Sequence, residues 1–427
     1  MARAMKDSGI EWIGEIPEGW EVVRVSSCFS EVKEKNTDCL YDNALQFKMG
    51  RIIPKPRKWD AEEIGETYSA YTIVHPRTIM VNGLNLEFDF VTQRVAVVEE
   101  DGIITSAYIA MSPNDSVDAN YMCYLLKAYD YRRALHNMGK GLRKILNYSE
   151  LKTKPILLPP LSEQRSIVRT LKTECSQIDA VIEQTRASIE EYKKLKQSVI
   201  TEAVTKGIRP GRKIKKTGNF WISEIPVEWN LSRVGLHYDI ILGKMLCTSQ
   251  LSDEYTLEPY YCAANVHFEG ISNEEIKRMW FSPSEKEQYL VQPGDLLIVE
   301  GGAGAGGGAV VKEMAQPIYI QNSIMIVRPK GTANNRYLRY LIEGLVNAGY
   351  VDVVCNKATI PHFTKDKLAN VPLPVSCEQE IIADNLDEKV SELSSLIMRK
   401  ERLITELESY KKSLIFEYVT GKKEVSA

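Results

Sequence analysis

Signatures of secretion, membrane insertion and metal binding are missing from this sequence of 427 residues. Its eight cysteines form no C-x-x-C pair, and its five histidines are scattered. This spacing disfavours zinc sites and disulfides and is typical of free thiols in a reducing compartment. No apolar run approaches the roughly 18 residues of a membrane span, and the charged first 19 residues do not resemble a signal peptide. We therefore expect a cytoplasmic protein with no metal site and no membrane contact.

An excess of positive charge is missing too. The chain has 54 Lys and Arg against 57 Asp and Glu, which gives a formal net charge of −3. Residues 206–216 form a basic stretch with six cations and no carboxylate. A protein that binds nucleic acid by itself usually shows a stronger basic footprint. If this chain binds DNA, we expect weak binding by the isolated chain.

Convincing catalytic motifs are also lacking. The glycine run 301–308 contains G-x-G-x-x-G, but a strand-like segment with Pro317 follows where a nucleotide-binding fold needs a helix. We interpret this run as a loop, which either lets a bulky ligand such as DNA approach or only joins two strands. The E-P-Y-Y segment at 258–261 departs at its first position from the adenine-flipping motif of methyltransferases, and Asp295 and Glu300 lack the downstream lysine of a nuclease core. We expect no catalytic residues.

What the sequence does contain is a long internal repeat. Residues 163–205 recur as residues 378–420, 215 positions later and without a gap. Both copies begin with Glu-Gln, have apolar residues at alternating spacings of three and four, and run without Pro or Gly to Gly207 and Gly421. This pattern predicts two long helices with a coiled-coil seam, each needing a partner, most simply the other copy.

Particular residues are assigned to the seam and to the helix ends. The apolar seam positions are Leu171, Ile178, Ile182, Ile189, Val199, Leu386, Leu393, Ile397, Ile404 and Leu414. Polar residues interrupt the seam at Thr185, Lys196, Lys400 and Lys411, and Ser162 and Ser376 are the expected N-caps.

The repeat extends to the globular segments before the helices. Residues 6–17 correspond to residues 215–226, and between such shared ends the two segments diverge. Each has strand-like stretches and then a helix-like stretch, 119–138 in the first and 336–350 in the second. The expected domains are a globular domain at 1–160, a helix at 161–207, a basic linker at 208–217, a second globular domain at 218–375 and a second helix at 376–421. One scaffold with different loops suggests one task on two targets.

The chain resembles, from end to end, the specificity subunit of type I restriction–modification enzymes. The likeness is carried by S-G-I-E-W-I-G-E-I-P-E-G-W at 8–20, P-P-L-S-E-Q at 159–164, C-E-Q at 377–379, E-A-V-T-K-G at 202–207 and E-Y-V-T-G-K at 417–422. The start of the second copy differs in its spacing after proline by one residue. Order, duplication and helix length together make the resemblance specific.

The resemblance implies an α/β (α+β) fold with an internal pseudo-two-fold repeat. Two target-recognition domains would be separated by two long antiparallel coiled-coil helices, and each domain would read one half of a split double-stranded DNA site. The helices would dock two methylation subunits, which restriction and motor subunits join. The chain would be non-catalytic and hold no cofactor, since S-adenosylmethionine would bind the methylation subunit.

Cations and amides in the loops are the candidate DNA contacts, because Arg, Lys, Asn and Gln bind base edges and cations also bind phosphates. Basic clusters lie at 48–58 and 131–154, and the loop at 139–144 has a counterpart about 215 positions later. The candidates are Lys48, Arg51, Lys55, Arg57, Lys58, Asn82, Asn85, Lys140, Arg143, Lys144, Asn265, His267, Asn356, Lys357 and Thr359. For any one cluster, a solvated surface face is the alternative interpretation.

Two other functions stay open from the sequence. A coiled-coil scaffold with protein-binding heads would have the same helices but no salt-sensitive affinity for DNA. An enzyme, built on the glycine run or fused to a nuclease, is disfavoured by the missing motifs and by a length that leaves no room for added domains.

Overall fold

The chain divides into two compact units. A computed structural model describes residues 3–48, 50–56, 68–87, 89, 93–139, 144–355 and 361–425. Unit 1 consists of Met1–Thr185 with Arg402–Ala427, and unit 2 consists of Arg186–Glu401. Each unit therefore contains one globular domain and part of both long helices.

In its described residues, unit 1 is built from short strands and helices. Its strands are β1 Met5–Asp7, β2 Glu15–Pro17, β3 Glu21–Arg24, β4 Phe29–Glu31, β5 Leu45–Lys48, β6 Arg51–Pro54, β7 Thr72–Val74, β8 Ile79–Val81, β9 Val95–Val97, β10 Gly102–Ile104, β11 Ile109–Pro113 and β12 Pro155–Leu158. Its helices are α1 Val25–Cys28, α2 Ala119–Tyr131 and α3 Tyr148–Leu151. The first long helix, α4, spans Leu161–Lys206 and continues into unit 2.

Unit 2 has a corresponding set of elements. Its strands are β13 Ile214–Lys216, β14 Glu224–Pro226, β15 Asn230–Arg233, β16 Tyr238–Leu242, β17 Thr256–Tyr261, β18 Val266–His267, β19 Gly270–Ile271, β20 Lys277–Phe281, β21 Leu296–Val299, β22 Gly308–Val310, β23 Tyr319–Ile320, β24 Ile324–Pro329 and β25 Pro372–Val375. Its helices are α5 Val234–His237, α6 Pro283–Tyr289, α7 Asn335–Asn347, α8 Tyr350–Val354 and α9 Lys365–Ala369, with a 3₁₀ turn at Ala263–Asn265. The second long helix, α10, spans Gln379–Val419.

The same antiparallel sheet lies at the centre of each unit. Its strand order is β4-β11-β8-β9 in unit 1 and β16-β24-β21-β22 in unit 2. The central strands β8 and β21 are buried along their whole length, as their continuous apolar sequences require. The pairs β1-β2 and β3-β12 also recur, as β13-β14 and β15-β25. The internal repeat is therefore a repeat of topology as well as of sequence.

The long helices pair antiparallel within each unit, as the resemblance implied. In unit 1, Lys411 near the end of α10 donates to both carboxylate oxygens of Asp179 in α4 at 2.6 and 2.7 Å. In unit 2, the Lys400 ammonium lies 5.6 Å from the ring centre of Tyr192. Two of the cations that interrupt the apolar seam thus have a partner on the facing helix.

Six of the ten predicted apolar seam positions are buried, and the other four are half-buried. Among the predicted positions, Leu171, Ile178, Ile182, Ile189, Leu386 and Leu414 are buried, whereas Val199, Leu393, Ile397 and Ile404 are half-buried. Thr185 is buried as well, and its hydroxyl donates to the carbonyl of Val181 at 2.7 Å. That internal bond removes the need for a polar partner across the seam.

Near its end, α4 turns a different face inward. Ile200 is fully buried there, one position beyond the predicted Val199. The reason is that α7 packs on this part of α4, where Gly344 lies beside the Ile200 side chain. Lys196 lies 3.6 Å from Glu343 on α7, so the domain provides its partner.

A glutamine at the start of each long helix is bonded to its own domain. The Gln164 side-chain oxygen accepts from the backbone N–H of Asp118 at 2.8 Å, and Gln379 accepts from Asn334 at 3.0 Å. Asp118 and Asn334 are the N-caps of α2 and α7. Each glutamine also donates to the carbonyl of a proline five residues earlier. These bonds fix the angle at which the chain leaves the domain.

The glutamate before each glutamine binds an arginine from the start of the same repeat. Arg3 donates to Glu163 at 2.6 and 2.9 Å, and Arg212 donates to Glu378 at 2.7 Å. The hydrogen bond to Glu163 raises the pKa of Arg3, and the Trp20 indole N–H donates to Glu163 at 3.0 Å.

The expected capping by Ser162 is wrong, because α4 already begins at Leu161. Ser376 accepts from the Glu378 N–H just before α10.

A buried tyrosine completes each unit. The Tyr121 hydroxyl of α2 donates to the carbonyl of Val419 at 3.2 Å, and the Tyr337 hydroxyl of α7 donates to that of Val204 at 2.7 Å. Burial raises the pKa of both phenols well above the usual value. Each domain therefore holds the last turn of the long helix that comes from the other repeat.

The helix predicted at 119–138 is shorter than expected. It ends at Tyr131, and the chain then forms turns.

The eight cysteines are free thiols. In the part of the chain that the structure describes, no helix is long and apolar enough to cross a membrane.

We predict that Ile182→Asp destabilises the chain because it places a carboxylate in the buried seam. An unpaired buried charge costs several kcal/mol, so Tm should fall by roughly 5–10 °C. Val181→Asp is the matched control, since the adjacent Val181 side chain is 43% exposed. Equal melting temperatures for the two variants in differential scanning calorimetry would contradict the seam.

We also predict that Tyr121→Phe and Tyr337→Phe lower the free energy of unfolding by similar amounts. Each leaves a helix-end carbonyl without its buried donor, which should cost about 1–3 kcal/mol in the free energy of unfolding. Tyr410→Phe, at a position that is 54% exposed, should be neutral. Urea titration measures all three, and neutral values for both buried tyrosines would show that the hydroxyls do not hold the helix ends.

Candidate nucleic-acid interface

Two loops of unit 1 lie side by side at one edge of the central sheet. One joins β8 to β9, and the other joins α2 to α3. The Leu146 N–H donates to the Gly83 carbonyl at 2.9 Å, which links the loops through their backbones. A Cβ atom at Gly83 would lie 2.2 Å from the Leu146 carbonyl oxygen, so only glycine permits this approach.

This link brings together three predicted site residues. Asn82 and Asn85 lie in the β8–β9 loop, and Lys144 lies in the α2–α3 loop. Gly139 packs closely against both Leu86 of the first loop and the Lys144 backbone of the second. Asn85 and Lys144 are exposed and have left-handed backbone conformations, with φ of 54° and 39°. Lys140 and Arg143 lie outside the described residues.

The basic hairpin of unit 1 reaches the same loop. Lys48 and Arg51 face each other across the turn between β5 and β6. The turn contacts the Gln93 side chain at the end of the β8–β9 loop, and Lys127 of α2 donates to the carbonyl of Gly50 at 3.4 Å. Lys127 is a functional candidate that the sequence did not single out, since it resembles any other polar residue of an amphipathic helix.

The predicted cations of this surface are available for a ligand. Lys48, Arg51, Lys55 and Lys144 are exposed. Within the described ranges, none of these four side chains forms an ion pair. Arg57 and Lys58 lie outside those ranges. The surface therefore combines free positive charge with asparagine amides, the groups that bind phosphates and base edges.

Unit 2 contains the same link between loops with different residues. The Phe363 N–H donates to the Glu300 carbonyl at 2.6 Å, and the Gly302 N–H donates to the Pro361 carbonyl at 3.2 Å. Phe363 and Glu300 each lie 217 positions after their counterparts Leu146 and Gly83. The backbone link therefore also belongs to the internal repeat, although the residues of the linked loops differ between the two domains.

The glycine run forms the loop of this second link. Residues 300–307 join the antiparallel strands β21 and β22, so no helix follows the G-x-G-x-x-G pattern. The predicted interpretation as a loop between strands is confirmed. Gly302 and Gly306 have φ of 91° and 84°, which other residues rarely adopt.

The remaining predicted residues of unit 2 have mixed environments. Val266, between Asn265 and His267, lies beside Gly307 of the glycine loop. His267 is exposed, whereas Asn265 is 4% exposed and its amide bonds the backbone of Cys262, Ser272 and Glu274. Burial in this turn disfavours the predicted DNA contact of Asn265. Asn356, Lys357 and Thr359 lie outside the described residues.

Neither edge is arranged for metal catalysis in the residues that the structure describes, where no group of three His, Cys, Asp or Glu side chains could hold an ion. Glu258 of β17 is engaged by Thr256 and Lys286, and the Thr256 hydroxyl, with the lysine, lowers its pKa. Asp295 forms an ion pair with Arg328 at 2.8 Å. Glu258 and Asp295, which the sequence offered as possible catalytic carboxylates, are thus held by neighbouring side chains.

We predict that Gly83→Ala breaks the link in unit 1. The added methyl group meets a backbone oxygen, so the Leu146 N–H should lose its bond and exchange with solvent at least about tenfold faster, equivalent to 1.4 kcal/mol. Gly19→Ala is the control, because no atom lies within 4 Å of its added Cβ. Amide hydrogen exchange decides the matter, and unchanged protection of Leu146 would mean that the loops are held in another way.

Part of unit 1 and the chain as a whole are similar to known proteins. Residues 91–191, which include the α2–α3 loop and about two thirds of α4, match the family model of the type I restriction modification DNA specificity domain. The whole chain is similar to the type I restriction enzyme MjaVIII specificity subunit of Methanocaldococcus jannaschii. The two are 23% identical over 425 residues, which cover 96% of this chain and 94% of the relative.

Solved structures share the fold. A chain of a type I R-M system, solved to explain complex assembly and conformational transition, has a TM-score of 0.73 at 18% identity and is matched over 99% of its length. The HsdS subunit from Thermoanaerobacter tengcongensis has a TM-score of 0.54 at 18% identity and is matched over 98%. Both matches cover 96% of this chain. Residues 91–191 thus match a type I restriction modification DNA specificity domain, and the end-to-end resemblance of the chain to the specificity subunits of these systems is confirmed.

Proposed function

We propose that this chain reads a bipartite double-stranded DNA site, with one unit on each half. The observation that carries the proposal is the repeated link between two loops, Leu146 to Gly83 in unit 1 and Phe363 to Glu300 in unit 2. The scaffold under each link is the same, while the loop residues differ. A repeated scaffold with divergent loops is suited to reading two different short sequences in the same way.

The chemistry of unit 1 supports DNA as the ligand. Lys48, Arg51 and Lys144 are exposed cations around a loop that presents Asn85 and contains the half-buried Asn82. Asparagine can bind adenine through two hydrogen bonds, and cations bind phosphate and guanine. The centre of a protein–protein interface is depleted of charged residues and especially of lysine, so this edge suits DNA better than a protein partner.

The charge of the whole chain supports binding inside a larger assembly. With a net charge of −3, the chain can neutralise few phosphates by itself. In the proposal, this chain contributes base contacts and its partner subunits contribute most of the phosphate contacts. The isolated chain then binds DNA weakly, and the assembled enzyme binds it strongly.

We further propose that the long helices dock two methylation subunits, which restriction and motor subunits then join. Leu195 of α4 is 48% exposed and Tyr410 of α10 is 54% exposed. These large side chains lie 215 positions apart and thus at equivalent points of the repeat. Two equivalent exposed positions support two copies of one partner, on which S-adenosylmethionine would be bound.

The proposed function predicts a methylated, split motif. Genome-wide detection of modified adenine in a host that carries this chain and its methylation subunit should reveal one motif with two defined halves and unread bases between them. A host with the methylation subunit alone is the control. Absence of any motif that depends on this chain, despite assembly of the complex, would favour the protein-binding scaffold.

Salt dependence provides an independent test on the purified complex. Lys144→Ala should weaken DNA binding and, if Lys144 contacts a phosphate, reduce the slope of log affinity against log salt by about one. Lys33→Ala is the control, because Lys33 lies outside both loops and forms an ion pair with Glu31 at 2.8 Å. If both variants keep the affinity and the slope of the wild-type complex, this edge of unit 1 does not bind DNA.

A further inference from the structure

We propose that Arg94 is a positioning residue, which holds the β8–β9 loop of unit 1 in the shape that reads one half of the DNA site. This inference rests on the proposed function and adds a specificity determinant that does not contact DNA itself. Arg94 directly precedes β9, and its side chain has no exposed surface.

The guanidinium group binds four carbonyl groups of one loop. One terminal nitrogen donates to the carbonyls of Asn82 at 3.1 Å and Leu84 at 2.6 Å. The other donates to the carbonyls of Asn85 at 3.3 Å and Asp89 at 2.6 Å. Four carbonyl groups of the loop are therefore held by a single planar cation, and both predicted base-reading asparagines are among these residues.

Two carboxylates compensate the buried charge. Asp130 of α2 lies 4.0 Å from the Arg94 Nε atom and also accepts from the Arg94 backbone N–H at 3.2 Å. The Asp89 carboxylate lies 3.6 Å from the guanidinium. His136 approaches from the α2–α3 loop and lies 3.3 Å from the Asp89 carbonyl and 3.9 Å from Asp130. The cluster thus connects the β8–β9 loop, α2 and the α2–α3 loop.

The cluster contains more charge than stability alone would require. Burial raises the pKa of Asp130, while the hydrogen bond and the charge from Arg94 oppose this change. Replacing buried ion pairs by well-packed apolar residues is often neutral or stabilising. Only arginine can bind four loop carbonyls at once, because it carries five N–H donors in a fixed plane. Lysine has three donors on a single nitrogen atom.

Unit 2 achieves its loop shape without such a cation. The residue before its corresponding strand β22 is Gly307, and the loop itself is rich in glycine. Glycine adopts the required left-handed conformations, as at Gly302 and Gly306. An effect of Arg94 on sequence reading should therefore be confined to one half of the site.

The test uses the assembled methyltransferase with Arg94→Lys and Arg94→Met. We measure methylation rates on duplexes that carry single base changes in either half of the motif. Both variants should lose about tenfold of their discrimination at one or more positions of one half, the scale of one mismatched base pair. Discrimination in the other half should remain at the wild-type value. Arg328→Lys, which disturbs the Asp295 ion pair of unit 2, is the matched control and should change neither half.

Several outcomes would overturn the proposal. If the Arg94 variants melt earlier but discriminate between bases as the wild type does, Arg94 has only a structural role. If they do not assemble, Asn85→Gly replaces them, because glycine keeps the left-handed backbone and removes the exposed side chain. Unchanged discrimination by Asn85→Gly in both halves would show that the loop held by Arg94 is not read. Each of these results concerns Arg94 alone, and the proposed function still holds if the wild type methylates a split motif. If the wild type methylates no split motif, the proposed function itself is wrong.

Discussion

Each unit depends on a hydrogen bond between a buried tyrosine and the end of a helix from the other repeat. Tyr121 reaches Val419 and Tyr337 reaches Val204, so the partners are 298 and 133 positions apart in sequence. Each hydroxyl thus has a hydrogen-bond partner that its own repeat does not supply. At the opposite helix ends, Gln164 and Gln379 bond the capping residues of the same domain helices. Both ends of both long helices are therefore fixed by polar contacts that tolerate no slip of register.

This constraint explains which parts of the repeat are kept and which are free to differ. An inserted residue in a long helix would rotate its end by about 100° and remove the tyrosine contact, which accounts for the gapless spacing of 215 positions. The loops at the edge of the central sheets carry no such restriction. They retain only the short backbone link, and they are built around a buried arginine in one unit and around glycines in the other. In the proposed function, stability and sequence reading thus depend on different residues.

Local patterns predicted the elements but not the long-range contacts. The spacing of Leu171, Ile178 and Ile182 indicated the seam, because burial of one helix face leaves a period that is visible in the sequence. The sequence predicts Ser162 as an N-cap, yet α4 begins at Leu161.

The site was harder to predict than the seam. Gly83 contacts Leu146, which is 63 positions away, and no local signal reveals such an approach. From the sequence alone, Arg94 would be expected on the surface, because its burial depends on Asp130 of a distant helix. Loop positions such as Asn265 have no periodicity that would separate a buried amide from an exposed one.

Exchange of one recognition domain tests the central claim most directly. Residues 20–158 would be replaced by the same span of a related subunit, which retains the helix starts, both long helices and all of unit 2. The adenine-methylation motif of a host carrying the chimaera and the methylation subunit is then determined. If each unit reads its own half, one half of the motif changes and the other stays as in the wild type. A change in both halves, or in neither, would contradict the account.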